Sequence, residues 1–348
     1  MSEQKRIEDY NIKMGNLAKG KLNKITDVKG VKVGHCTIDD DRNKTGVTVV
    51  ILSEKNIFKN KLIAAAYVFN GFGKTTGLIQ IDELGTLETP IALTNTLNVG
   101  IVYDGIVEYM IQECKKDGTI IESINPIICE CNDSGLNDIR NRAVNKNHVF
   151  EAINSACEDF EEGDVGAGKG TSCHQLKGGI GSASRTIDLD GKKYTVGVLV
   201  QSNYGLLEDF IINGNNIGKK ISYKMAMEEE MDKGSIIMIV ATDLPVSSRQ
   251  LKRICKRTSI GLSKLGSYMG NGSGEIVVGF STANIINSDE RDDIFNIKMI
   301  KENKIDLAFR AVAEACEEAI LNSMITAHSV RGYKGNIRRS LKEFDEYL

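Results

Sequence analysis

Gly234-Ser235-Ile236-Ile237-Met238-Ile239-Val240-Ala241-Thr242-Asp243 is the stretch around which this sequence is organised. An unbroken apolar run of this kind is typical of a strand buried in a sheet. It follows a charged segment, residues 225–233, that is predicted to be flexible. Ser235 thus places a hydroxyl at the start of a buried strand. It is either an ordinary strand-end serine or a nucleophile whose own amide bond is cut, which would give it a free amine as its base.

Composition indicates a soluble globular protein and excludes several classes of function. Of 348 residues, 41% are hydrophobic and 26% are charged, and the net charge of -3 gives no signal for nucleic-acid binding. No run reaches the roughly 18 apolar residues of a membrane span, and residues 1–24 lack the apolar segment of a signal peptide. The eight cysteines show no disulfide-scaffold spacing. We therefore expect a cytoplasmic protein with reduced thiols and no membrane or nucleic-acid partner.

Apolar periodicity divides the chain into strands and helices in mixed order. Besides the opening stretch, strands are predicted at 31–35, 46–52, 62–69, 90–96, 126–131, 184–189, 194–200 and 276–280. Asp190-Gly191 predicts a hairpin turn. Helices are predicted at 99–114, 137–160 and 305–326, with another that begins at Ser247 or Ser248. Residues 1–24 are predicted to be a flexible, loosely held arm, and residues 25–348 to be a single layered domain.

A glycine-rich loop, residues 163–169, matches most of a phosphate-binding P-loop. Gly170 occupies the position of the magnesium-binding hydroxyl, and the preceding segment is acidic and helical where a strand is required. A nucleotide-binding module that uses Gly163 to Lys169 is therefore one alternative. A loop that lets backbone approach backbone is the other.

The glycine loop belongs to a longer string, and further strings accompany it along the chain. They are residues 45–48, 82–85, 90–96, 163–173, 177–185, 199–205, the Gly234-Ser235 strand and 272–275. On these strings the chain resembles the DmpA-type aminopeptidases, also called the β-aminopeptidase or L-aminopeptidase/D-esterase family. The resemblance extends from about residue 25 to the C-terminal helix.

The resemblance implies an α+β fold, a four-layer αββα sandwich shared with ornithine acetyltransferase. It implies a precursor that cuts itself between Gly234 and Ser235 into an α chain, 1–234, and a β chain, 235–348. Such processed pairs would form a homo-oligomer. The enzyme would release N-terminal residues from short peptides, amino-acid amides or esters through an acyl-enzyme on Ser235. No metal and no organic cofactor is implied.

By the same resemblance, Ser273 and Glu275 match the family's assisting pair, a serine and a glutamate two residues apart. Alternate residues that leave a glycine turn can point the same way, so Ser273 could relay hydrogen bonding between Ser235 and the Glu275 carboxylate. The α-amine freed on Ser235 has a reference pKa of about 7.7–8.0, which suits a base near neutral pH. Without the family, the pair is interpreted as a turn serine and a surface acid.

Asn203 matches the family's oxyanion-hole asparagine, whose amide would donate to the developing oxyanion. Glu130 matches the acid that receives the substrate's free amine. Asn132 stands where some members carry a tyrosine and is a candidate second donor that borders the substrate. Lys177 and His174 could also lie near the site, and His174 is predicted to be structural because this mechanism needs no histidine. Asn203 and Glu130 also have ordinary interpretations, as a turn asparagine and a strand-end glutamate.

Three rival functions remain open. An acyltransferase of the ornithine acetyltransferase type would share the fold and the self-cleavage, but that family uses a threonine nucleophile and Ser235 argues against it. The nucleotide-binding module would bind ATP with magnesium and would be indifferent to Ser235→Ala. An unprocessed, inactive member would serve only in assembly.

Overall fold

The structure, a computed structural model, describes residues 4–225, 234–290 and 292–348. All but the first residue of the segment predicted to be flexible, 225–233, therefore lie outside the described residues. The strands are β1 (Lys32–Asp39), β2 (Lys44–Ile51), β3 (Asn60–Gly71), β4 (Thr86–Leu87), β5 (Ile91–Asn95), β6 (Ile127–Cys131), β7 (Ser172–Cys173), β8 (Leu176–Lys177), β9 (Gly179–Leu189), β10 (Lys192–Asn203), β11 (Ile211–Ile212), β12 (Asn215–Asn216), β13 (Ser235–Thr242), β14 (Gly274–Asn287), β15 (Val330–Arg331) and β16 (Ile337–Arg338). The α-helices are α1 (Leu78–Leu84), α2 (Val99–Lys115), α3 (Lys146–Asn154), α4 (Ile217–Met225), α5 (Ser248–Cys255), α6 (Thr258–Lys264) and α7 (Ile305–Ile325).

Strand β13, the opening stretch of the sequence, lies inside a six-stranded sheet of order β4-β3-β14-β13-β10-β9. It pairs antiparallel with β10 and parallel with β14. Every residue of β13 is buried, which explains why its sequence is apolar without interruption. A second sheet of four strands has the order β1-β2-β5-β6.

The two faces of β13 pack against different layers. Met238 belongs to the core that contains Val312 of α7, whereas Ile237 and Ile239 belong to the core that contains Val49 of β2. Helices α5 and α7 therefore cover one face of the larger sheet, and the smaller sheet packs on its other face. Helices α2 and α3 cover the outer side of the smaller sheet. This order of layers confirms the predicted αββα sandwich.

Residues 4–24 depart from the prediction of a loosely held arm. Ile7 and Met14 of this segment are buried in the core next to α7. The Arg6 guanidinium lies 2.8 Å from Glu162, and the buried Arg185 guanidinium donates to the Met14 carbonyl at 2.7 Å. The prediction was wrong over these residues because buried guanidinium groups need hydrogen-bond acceptors, and the segment supplies several of them.

The helix predicted at 137–160 is also much shorter in the structure. Within this range, only Lys146–Asn154 forms an α-helix, α3. The Asn145 side chain accepts from the backbone N–H of Asn147 and starts the helix there. Beyond the helix, Cys157 forms a bridge with Val33 of β1. The cap at Asn145 and the bridge at Cys157 limit this helix, so apolar periodicity alone overestimated its length.

Candidate active site

Strand pairing brings Ser235 beside the predicted site residue Asn203 and beside Gly274, which lies between the predicted pair Ser273 and Glu275. Ser235, the first residue of β13, lies opposite Asn203 at the end of β10 and opposite Gly274 at the start of β14. Because strand residues alternate between faces, the Ser235 side chain shares the face of Ile237, which packs towards the smaller sheet. From that sheet the Cys131 thiol donates to the Ser235 carbonyl oxygen at 3.6 Å. Ser235 therefore lies between the two sheets, at one end of both.

Gly234 is closely enclosed by backbone. Its carbonyl oxygen accepts from the Gly274 amide at 3.2 Å. A Cβ atom at Gly234 would lie 2.3 Å from the Asn203 carbonyl oxygen and 2.5 Å from the Tyr204 Cα. Only glycine fits this position without displacing the chain.

Ser273 and Glu275 form a buried pair. The Ser273 hydroxyl donates to Glu275 Oε1, and neither residue has any exposed surface. The Asn70 side chain donates to the Gly270 carbonyl at 2.8 Å and so supports the turn that leads into the pair. Because Ser273 and Glu275 flank Gly274, the pair lies next to the residue that faces Ser235 across the sheet.

Contacts on both sides set the orientation of the Asn203 amide. Its Oδ1 accepts from the Ser172 backbone N–H at 2.9 Å, and its Nδ2 donates to the Asn132 carbonyl oxygen at 3.0 Å. An amide nitrogen carries two hydrogens, and this contact uses one of them. The Asn132 side chain itself is exposed and accepts from the Ser134 N–H at 3.0 Å. It is thus the backbone of Asn132 that contacts Asn203.

Glu130 lies buried at the same end of the sheets. Its Oε1 accepts from the Lys74 backbone N–H at 3.0 Å, and its Oε2 accepts from the Thr96 hydroxyl. A Cβ atom at Gly73 would lie 3.8 Å from Glu130 Oε1, and one at Gly274 would lie 3.4 Å from the Gly73 nitrogen. The loop at Gly73 therefore lies between Glu130 and the start of β14, and Glu130 borders the region of Ser235.

In the glycine loop 163–169, groups that a P-loop would use for phosphate contact other groups of the protein. The amides of Gly166 and Ala167 donate to threonine hydroxyls at 2.7 and 3.1 Å. The Lys169 ammonium lies 2.7 Å from Asp39 and 3.0 Å from Asp164. A P-loop needs its amides and its lysine for phosphate, so this geometry favours the interpretation in which backbone packs on backbone.

Three further features concern His174, groups that could hold a metal, and the length of the helices. His174 is buried and stacks on Phe210 at a centroid distance of 4.6 Å, and burial lowers its pKa to about 4, in keeping with a structural residue. Within the described ranges, no group of three or more His, Cys, Asp or Glu residues is placed to hold a metal. None of the described helices combines the length and the apolar character that crossing a bilayer requires.

Sequence reasoning missed the backbone groups of this site. The amides of Ser172 and Gly274 and the carbonyl of Asn132 each contact a predicted site residue or Gly234. A side-chain pattern carries no signal for such groups, because every residue has a backbone carbonyl and every residue but proline has a backbone N–H.

An αββα sandwich with a serine at the start of a central strand, between the two sheets, is the arrangement that the predicted class, the N-terminal-nucleophile serine aminopeptidases, requires. The chain belongs to peptidase family S58, whose profile matches residues 23–338. This confirms the predicted family, and it supports a hydrolase over the acyltransferase rival.

Three relatives illustrate the similarity. The chain is 35% identical over 339 residues to the beta-peptidyl aminopeptidase BapA of Sphingosinicella microcystinivorans. The aligned region covers 91% of this chain and 84% of BapA. The crystal structure of the PH0078 protein from Pyrococcus horikoshii OT3 matches with a TM-score of 0.92 and 47% identity, over 99% of this chain and 98% of that one. The L-aminopeptidase D-Ala-esterase/amidase of Ochrobactrum anthropi, described as a prototype of the serine aminopeptidases and a variant of the Ntn hydrolase fold, matches with a TM-score of 0.89 and 29% identity over 99% of both chains.

Proposed function

We propose that this aminopeptidase is made as a precursor that cuts itself between Gly234 and Ser235, and that Ser235 is then its nucleophile. The fragments would be residues 1–234 and 235–348. The observation that carries the proposal is the position of Ser235 opposite both Asn203 and Gly274, with the Gly234 carbonyl bonded to the Gly274 amide.

This arrangement supports the proposed self-cleavage. The Ser235 hydroxyl attacks the Gly234 carbonyl carbon, and the Gly274 N–H stabilises the charge that develops on its oxygen. The amide bond becomes an ester, which water then opens. The products are a carboxylate on Gly234 and a free amine on Ser235, whose reference pKa of about 7.7–8.0 suits a general base.

In the processed enzyme, the amine of Ser235 takes the proton of its own hydroxyl as that oxygen attacks the substrate carbonyl. The second N–H of Asn203 stabilises the oxyanion, a contribution of about 2.7–4 kcal/mol in comparable hydrolases. Glu275 shares the sheet face of Val277, opposite to that of Ile237 and Ser235. We therefore infer that the Ser273–Glu275 pair supports Ser235 from the side of its nitrogen.

Glu130 would hold the free amine of the substrate, which restricts the enzyme to N-terminal residues. Its two oxygens already accept from the Lys74 amide and the Thr96 hydroxyl, and these donors hold the carboxylate in one orientation. The exposed Asn132 would border the substrate. We propose short peptides, amino-acid amides and esters as substrates, and the names of the relatives make β-peptides, L-amino-acid amides and D-alanine esters the compounds to test.

A homo-oligomer of processed pairs and a cytoplasmic location stay predictions from the sequence.

The proposal is tested by the intact mass of the denatured protein, measured for the wild type and for Ser235→Ala. We expect two fragments that meet at Gly234/Ser235 in the wild type and one whole chain in the variant. Ser235→Thr keeps a hydroxyl nucleophile and should retain some self-cleavage. A whole chain in the active wild type would remove the N-terminal-amine mechanism. Cleavage at this bond in Ser235→Ala would show that another group cuts it.

A further inference from the structure

Lys177 is a fully buried lysine that the proposed mechanism does not use. Its ammonium donates to three backbone carbonyls, those of Gly168 and Thr171 at 2.9 Å and that of Gly178 at 2.7 Å. An ammonium has three hydrogens, so these contacts use all of its donors. They join both ends of the hairpin β7–β8 to the preceding glycine loop.

The charged and titratable groups that act on Lys177 come from several segments. Burial lowers the pKa of Lys177 to about 7, and the nearby Lys169 adds to this lowering. Asp164, Cys173 and Asp133 act in the opposite direction and raise the pKa. A cation in such a place carries a cost in free energy, and a structural or functional gain must offset that cost.

The hairpin that Lys177 holds supports Asn203. Ser172 directly follows Thr171, pairs with Lys177 across the hairpin, and donates its backbone N–H to Asn203 Oδ1 at 2.9 Å. On the other side, a Cβ atom at Gly178 would lie 2.5 Å from the Ser202 carbonyl oxygen. Lys177 therefore binds the hairpin at two points, the carbonyls of Thr171 and Gly178. Thr171 precedes the Ser172 N–H that contacts Asn203, and Gly178 lies against the Ser202 carbonyl, so both points adjoin the end of β10.

The orientation of the Asn203 amide depends on the Ser172 donor. If that N–H moved away, only the contact between Asn203 Nδ2 and the Asn132 carbonyl would hold the amide. The amide could then tilt about this contact, so that its second N–H no longer points where the oxyanion forms, and the contribution of Asn203 would be reduced. Without the ammonium, the Gly178 carbonyl would lose this donor, and the carbonyls of Gly168 and Thr171 would keep only the donors that Thr171 and Gly178 supply from within the loop. The hairpin would then be held less firmly against the glycine loop.

We infer that Lys177 is a positioning residue of the oxyanion hole, because its ammonium holds the hairpin whose Ser172 N–H orients the Asn203 amide. The inference rests on the proposed function of Asn203. The inference adds Lys177 to the proposed site as a residue that touches neither the substrate nor the nucleophile. Lys177 acts on Asn203 through the backbone amide of Ser172.

A double-mutant cycle tests the inference, with the hydrolysis of an amino-acid 4-nitroanilide by the processed enzyme as the readout. Asn203→Ala should lower kcat by about 10²–10³-fold. Lys177→Met should lower kcat by about 10–100-fold while KM changes by less than about 3-fold. The double variant should be no slower than Asn203→Ala alone, because both changes remove the same interaction. Lys169→Met, in the glycine loop that Lys177 contacts but ion-paired to carboxylates, is the matched control and should keep its kcat.

The outcomes separate the two ideas. If Asn203→Ala keeps full activity, the oxyanion proposal for Asn203 fails, and the inference about Lys177 fails with it. If Asn203→Ala is slow but the two effects multiply in the double variant, only the inference about Lys177 is overturned. If Lys177→Met is not processed or does not fold, Lys177→Gln, which keeps two donors, takes its place and should show a smaller loss of kcat. Failure of both variants to fold would show that Lys177 acts in folding and would overturn its positioning function.

Discussion

The amide of Gly274 donates a hydrogen bond to the carbonyl oxygen of Gly234, with an N···O distance of 3.2 Å. It belongs to the parallel pairing of β13 with β14, in which Ser235 lies opposite Gly274. In the proposed self-cleavage, this oxygen acquires the negative charge. An ordinary sheet contact would then act as an oxyanion donor that is already in place before the reaction begins.

Gly234→Ala is expected to slow self-cleavage by at least about 10-fold. The new Cβ atom would meet the Asn203 carbonyl oxygen at 2.3 Å, so the Gly234 carbonyl must shift away from the Gly274 donor. The conversion of freshly made precursor into two fragments, followed by mass over time, measures this rate. Gly100→Ala, where a Cβ atom meets nothing within 4 Å, is the control. Wild-type kinetics in Gly234→Ala would contradict this account of the cleavage site.

Glu275→Gln is expected to lower kcat by about 10²–10⁴-fold while the protein still folds. Glutamine keeps an oxygen that accepts from the Ser273 hydroxyl but removes the negative charge that we propose supports the Ser235 amine. Steady-state kinetics of the processed enzyme provide the measurement. Glu83→Gln, an exposed acid on α1, should leave kcat unchanged. If Glu275→Gln kept the wild-type kcat, the Glu275 carboxylate would have a packing function only.

Glu130→Gln is expected to raise KM for substrates with a free amine by about 10–100-fold, because a charge-assisted contact to the ammonium is lost. The same 4-nitroanilide with and without an N-acetyl group provides the comparison. Wild-type enzyme should cleave the free amine far better, and Glu130→Gln should narrow the difference. Equal cleavage of both compounds by the wild type would remove the amine-binding function of Glu130.

Asp164 should make stability depend on pH. Burial raises its pKa, but the His328 backbone N–H together with Lys177 and Lys169 outweighs burial and holds the pKa well below its usual value. A carboxyl group with a lowered folded pKa stabilises the fold above its unfolded pKa of about 3.9, and this stabilisation is lost as pH falls towards the folded pKa. Asp164→Asn should therefore cost about 1.5–3 kcal/mol at pH 7 and less in acid.

Urea unfolding at several pH values, in the Ser235→Ala background so that the chain stays whole, measures the effect of Asp164→Asn. Asp159→Asn is the control, because Asp159 is exposed and its ion pair with Lys24 should contribute little. A loss of stability that is the same at pH 7 and at pH 3 would show that the charge of Asp164 is not the cause.

The sequence by itself determined the longer strands and the class of enzyme. The unbroken apolar run after Ser235 indicated a buried strand, and Asp190-Gly191 joined two β-branched runs into the hairpin β9–β10. The strings around Ser235 and Ser273 indicated the peptidase family. These features are local, because strand alternation and turn chemistry act over a few neighbouring residues.

Only the tertiary structure decided how the site is held. Ser172 reaches Asn203, Arg185 binds the backbone of Met14, and Lys177 satisfies three carbonyls, all through groups that leave no pattern in the sequence. A buried cation takes whichever acceptors the packed chain brings to it, and an amide turns to whichever donor it meets. Strand register places those partners, and register is established only when distant segments pair.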